Sequence, residues 1–172
     1  MIKKEETGFT LIELMMVMVL IGILAVIGLH QFKIFRYKSH RTEALTNLDG
    51  IRVHELTFMA EEGYFLTSSW CPDTTPGPTP HKWTSGTNFD KLGFSPQGDP
   101  YYVYGVGGYP DDGVDDPYWI DNPIDSIAVA HDGKHNIAME ARGDINGNGI
   151  ENKLILTEEP PGKVLNLNPT EF

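Results

Sequence analysis

The chain has 172 residues, of which 13 are Lys or Arg and 24 are Asp or Glu, for a net charge of −11. An acidic surface repels phosphate backbones, so these numbers argue against a nucleic-acid-binding protein. A single cysteine, Cys71, excludes an intrachain disulfide framework and every multi-thiolate metal site.

The charge is unevenly spread. Residues 1–41 carry six basic residues (Lys3, Lys4, Lys33, Arg36, Lys38, Arg41) against three acidic ones, while residues 42–172 carry seven against 21. Within the basic part, residues 14–29 read LMMVMVLIGILAVIGL without a charged side chain. Extended to Phe9 and Phe32, the run predicts a helix of roughly 36 Å, enough to cross a bilayer core. It is apolar on all faces, unlike an amphipathic surface helix. The run is too long for the core of a secretory signal peptide, Glu13 sits near its start, and no small-x-small site follows. Lys33, Arg36, Lys38 and Arg41 lie on its carboxyl side, where the positive-inside rule alone would place the cytoplasm.

The stretch Gly8-Phe9-Thr10-Leu11-Ile12-Glu13-Leu14, followed by IGILAVIG, resembles the amino terminus of type IV pilins and the related pseudopilins. The resemblance is close over residues 3–29. It implies a leader at residues 1–8, cut between Gly8 and Phe9 on the cytoplasmic side by a prepilin peptidase that then methylates the new amine of Phe9. The chemistry of Glu13 points the same way. A carboxylate within a membrane span costs about 2.5–3.5 kcal/mol and needs a partner. A cut before Phe9 creates a positive amine four residues away, about one helical turn; a neighbouring subunit's amine would serve as well. Glu13 is therefore the expected assembly residue. Where this family commonly has a proline midway along the helix, the chain has His30, with Gly22 and Gly28 as helix-weakening points.

Residues 33–63 continue the helix in amphipathic form: Leu45, Leu48, Ile51, Leu56 and Met59 recur at helical spacing, and Gly63 ends it. The stretch RTEALTNLDGIRVHELTFMAEEGYF resembles the second half of the long helix of type IVa pilins, and Leu92-Gly93-Phe94 ahead of residues 101–104 resembles the start of that family's sheet. Residues 67–90, with Pro72, Pro76, Pro78 and Pro80, read as a loop. Cys71 lies there with no basic neighbour to activate it, so no catalytic use is expected. Strands are expected at 101–106, 126–130, 136–141 and 153–157, with 163–167 a candidate fifth. The fold class is α+β: a long amino-terminal helix packed on an antiparallel sheet of about four strands, with 64–172 as a β-rich head.

Asp111, Asp112, Asp115, Asp116, Asp121 and Asp125, among Tyr109, Tyr118 and Trp119, read as a solvated acidic loop rather than a cation site. His131 and His135 have the i, i+4 spacing of a helical zinc pair, but Asp132-Gly133 between them signals a turn. Asp144-Ile145-Asn146-Gly147-Asn148-Gly149 opens like the D-x-[DN]-x-[DN]-G calcium loop, with Ile150 and Glu151 as further oxygen donors. The closing Glu of that pattern is replaced by Ile155. The repeated Asn-Gly favours a metal-free hairpin, with a weak Ca2+ site as the alternative. No G-x-S-x-G, Walker, Rossmann or H-E-x-x-H motif is present, so no enzyme is expected.

The resemblance implies a structural subunit of a type IV pilus-like filament, serving adhesion, motility or surface attachment. Such a subunit waits as a single-pass protein of the inner membrane, then polymerises with itself, through the inner-membrane pilus assembly machinery, into an extracellular fimbrium. A pseudopilin of a type II secretion system and a minor pilin or membrane-anchored adhesin are the alternatives.

Overall fold

The computed structural model describes residues 8–110, 128–130, 135–157 and 164–167. The chain divides into two compact units, Met1–Arg36 and Tyr37–Phe172. Helix α1 (Leu11–Glu62) contributes to both.

In the first unit the helix begins after Thr10 and runs unbroken through Gly22, Gly28 and His30. Every side chain from residue 8 to residue 33 is exposed, including Leu11, Leu24, Val26 and Leu29. A helix apolar on all faces and covered on none is not the core helix of a water-soluble fold; it requires lipid or other helices around it. Its length and composition suffice to cross a membrane.

In the second unit α1 becomes one-sided. Ala44, Leu48, Ile51 and Glu55 recur every three or four residues and are buried. The apolar three join Phe65, Tyr104, Val106, Ile137, Met139, Leu154 and Leu156 in a single core. Gly63, at φ 82°, stops the helix in the left-handed conformation that glycine adopts without strain. The chain turns directly into β1 (Tyr64–Leu66) and β2 (Ser68–Cys71). A short helix, α2 (Asn88–Leu92), follows. Then come β3 (Val103–Pro110), β4 (Ala128–Ala130), β5 (His135–Gly143), β6 (Asn152–Thr157) and β7 (Val164–Leu167).

The main sheet is antiparallel in the order β2-β3-β5-β6-β7, and β1 pairs with β4 in a separate two-stranded ladder. The α+β class and the sheet on the amphipathic half-helix agree with the sequence reading. Two local readings differ in the structure. Residues 67–90 are not all loop, because they contain β2 and the start of α2. Leu92-Gly93-Phe94 does not open the sheet; it closes α2. Gly93 at φ 71° donates its N–H to Asp90 O, and Phe94 N–H reaches Phe89 O. The expected candidate fifth strand forms as β7, and β2 adds the other edge of the main sheet.

Candidate functional site

The amino-terminal site is built by three contiguous residues and one helical turn. Gly8 and Phe9 precede α1 in non-helical, exposed backbone, with Phe9 at 81% exposure. Thr10 caps the helix. Its backbone N–H and its hydroxyl both donate to Glu13 Oε2, at 3.2 and 3.0 Å, and the Glu13 N–H returns to Thr10 Oγ1 at 3.3 Å. This is a capping box, in which the side chains at the cap and three residues on satisfy each other's backbone donors. The carboxylate also faces the positive end of the helix dipole. Glu13 is thus held by its own first turn, in addition to the pairing with the Phe9 amine expected from the sequence. Thr10 joins the expected site residues through this cap, and Thr10-x-x-Glu13 ahead of an apolar run is its signal in the sequence.

The Asp144 loop joins β5 to β6, whose last register pair is Gly143 with Asn152. It is a wide connection and not a two-residue Asn-Gly turn. Asp144 is buried and organises it: Oδ1 accepts the N–H groups of Gly147 (2.8 Å) and Asn148 (3.1 Å), and Oδ2 accepts that of Gly149 (2.9 Å). Asn146 Oδ1 accepts from Asn148 N–H, and Asn148 Oδ1 from Ile150 N–H. Gly147 and Gly149 have φ of 73° and 82°, which lets successive amides converge on the carboxylate. Ile145 plugs the loop into the core, while Ile150 is 49% exposed. Asp144 Oδ1 already accepts two N–H groups, whereas Oδ2 accepts one and keeps a lone pair open to a cation. Asp144 supplies the principal charge, and the described residues contain no group of three His, Cys, Asp or Glu placed to hold a metal. The donor set fits only a hard, weakly bound cation.

Asp111 to Asp125 and His131 lie outside the described residues; Tyr109 lies on β3 and His135 opens β5. Cys71 is a buried free thiol at the end of β2 and donates to Thr84 O at 3.3 Å. A buried thiol of this kind is structural rather than nucleophilic.

Residues 3–29 match the family described as the prokaryotic N-terminal methylation motif. The type IV major pilin protein PilA of Myxococcus xanthus strain DK1622 is 46% identical over 58 residues, 34% of this chain and 26% of that protein. Two fimbrial proteins of Pseudomonas aeruginosa are each 32% identical over 71 residues, 41% of this chain and 46% of theirs. The chain thus matches between a quarter and a half of the length of these relatives. No solved structure matches it. The motif and the relatives agree in what the chain is similar to, the type IV pilins.

Proposed function

We propose that the protein is a structural subunit of a type IV pilus-like filament. The observation that carries this reading is the contrast along α1. Its first part exposes an all-apolar surface with a capped carboxylate near its start, while its second part is one side of a closed core. The subunit is held in the inner membrane by the exposed part, with the head on the periplasmic side. It enters the filament when those apolar helices leave lipid and bundle with one another, so apolar surface stays out of water throughout. The filament then lies outside the cell.

Processing precedes assembly. A prepilin peptidase removes residues 1–8 by cutting between Gly8 and Phe9 and methylates the Phe9 amine; exposed non-helical backbone at that bond suits a protease. Copies of the chain itself, the peptidase and the inner-membrane assembly machinery are the partners. The work is assembly, with no catalytic centre invoked. The Asp144 loop is a self-capped hairpin whose amides are satisfied by its own side chains, with a weak Ca2+ site formed by Asp144, Asn146, Asn148, the Ile150 carbonyl and Glu151 as the alternative.

The test is the amino terminus and mass of the protein isolated from cells, together with electron microscopy of sheared surface filaments. N-methyl-Phe at the amino terminus, and filaments that disappear when the gene is deleted, are expected. A mature protein that retains Met1 overturns the reading. Filaments that persist without this chain reduce it to an accessory subunit.

A further inference from the structure

We propose that the carboxyl end of the apolar span is a lipid-binding collar, in which Lys33 and Arg36 hold the phosphate headgroups of anionic phospholipid in the membrane leaflet facing the head. The proposal rests on the reading of the chain as a membrane-held pilin precursor. Phe32, Lys33, Phe35 and Arg36 occupy little more than one turn of α1. At 100° per residue they fall in one continuous sector, the two rings on one side and the two cations on the other. All four side chains are exposed, Phe32 at 64% and Phe35 at 72%. Two cations beside two apolar rings at the end of an apolar helix fit a membrane–water boundary, where the rings stay against the acyl chains and the long basic side chains reach out to the phosphates.

The length of the span sets the depth. With Phe9 at the cytoplasmic boundary, Phe32 lies roughly 35 Å further along the axis, just past a hydrocarbon core of about 30 Å. Lys33 and Arg36 then enter the opposite headgroup layer. That is the side where the positive-inside rule disfavours basic residues, so these cations need a countercharge. Among the described residues neither has an ion-pair partner. Anionic phosphates supply one, and the fork of Arg36 matches two phosphate oxygens. The collar fixes the depth of the waiting subunit and makes its withdrawal from the bilayer dependent on lipid charge.

The test uses the full chain in micelles containing equal amounts of phosphatidylglycerol and phosphatidylcholine, with retained lipid read by native mass spectrometry. The wild type is expected to retain phosphatidylglycerol over phosphatidylcholine by about fivefold or more, from two cations near an anionic surface. Lys33→Gln with Arg36→Gln should bring the ratio close to one, whereas Lys33→Arg with Arg36→Lys should keep it. Equal retention of both lipids by the wild type overturns the proposal, as does undiminished preference in the double Gln variant. Alkaline carbonate extraction of cell membranes separates the two readings. A chain released by carbonate overturns the membrane-held precursor together with the collar, while an integral chain without lipid preference overturns the collar alone.

Discussion

At the scale of single residues, Glu13 carries two separable properties, a charge and a cap. Glu13→Ala removes both. It should cost the first helical turn about 1 kcal/mol, yet make the span more apolar and leave insertion intact. Cleavage should continue, since Gly8 and Phe9 are untouched, and filaments should become scarce. Glu13→Gln keeps a side chain suited to the capping box and loses only the charge. If charge directs assembly, the Gln variant also fails to polymerise. Filament counts by electron microscopy, set against membrane levels of the processed subunit, decide this, and normal filaments from Glu13→Gln would assign the residue to capping alone. Gly8→Val tests the neighbouring step: a branched side chain at the cleavage position should leave a longer, uncleaved chain in the membrane fraction, visible as a mass increase.

The hairpin of β5 and β6 shows how an element depends on a residue that has no side chain. Gly143 lies beneath the ring of Tyr102, and a Cβ there would come within 2.8 Å of two ring carbons. Tyr102 is buried and its hydroxyl donates to Asn152 Oδ1 at 3.1 Å, so the ring has little room to retreat. Gly143→Ala should destabilise the head by about 1–3 kcal/mol through overpacking, read as a lower melting temperature of the full chain in detergent. The loop that follows depends on one carboxylate. Asp144→Ala deprives three backbone amides of their acceptor and should cost about 1–3 kcal/mol. If the loop takes Ca2+, millimolar calcium should raise the wild-type melting temperature and leave that of Asp144→Ala unmoved. Absence of a wild-type shift would leave the hairpin metal-free.

At the scale of the whole head, helix and sheet are joined by buried polar groups as well as by apolar contact. Asn47 on α1 donates to the Tyr104 hydroxyl at 2.9 Å, and Glu55, fully buried on the same helix, accepts from Leu66 N–H on β1. Burial raises the phenol of Tyr102 well above its ordinary value, partly offset by the positive charge of Arg41. Burial raises that of Tyr104 likewise, partly offset by the hydrogen bond from Asn47. Both tyrosines stay neutral in the folded head at a pH where the unfolded chain ionises. Above about pH 10 the unfolded state therefore holds fewer protons, and stability must fall as pH rises. The melting temperature should be flat from neutral pH to about 9 and decline beyond it. Tyr102→Phe should begin lower and decline less steeply, and equal slopes in both proteins would exclude Tyr102 as a source of the alkaline loss.

The amino-terminal part of this protein is legible from its residues alone. Gly8 and Phe9 lie just ahead of α1, Glu13 and the apolar run lie within it, and all are close in sequence, so no tertiary contact is needed to read them. The amphipathic stripe through Leu48 and Ile51 was legible for the same reason, since helical periodicity is local. Strands with β-branched or aromatic runs, such as those at 101–106 and 153–157, were legible within a few residues. The remaining elements depend on contacts between distant parts of the chain. Tyr64–Leu66 and Ser68–Cys71 are too short to carry a pattern, and their partners are remote: Tyr64 pairs with Ala130, and Cys71 with Tyr104. The Leu92-Gly93 pair fits both a strand entry and a helix exit, and the packing of Phe89, Leu92 and Phe94 into the core selected the exit. The Arg142 guanidinium, paired with Glu140 on its own strand at 2.7 Å, lies over the ring of Trp70 on β2, more than 70 positions away. Cross-strand neighbours of this kind are set by register, which follows from how the whole core closes.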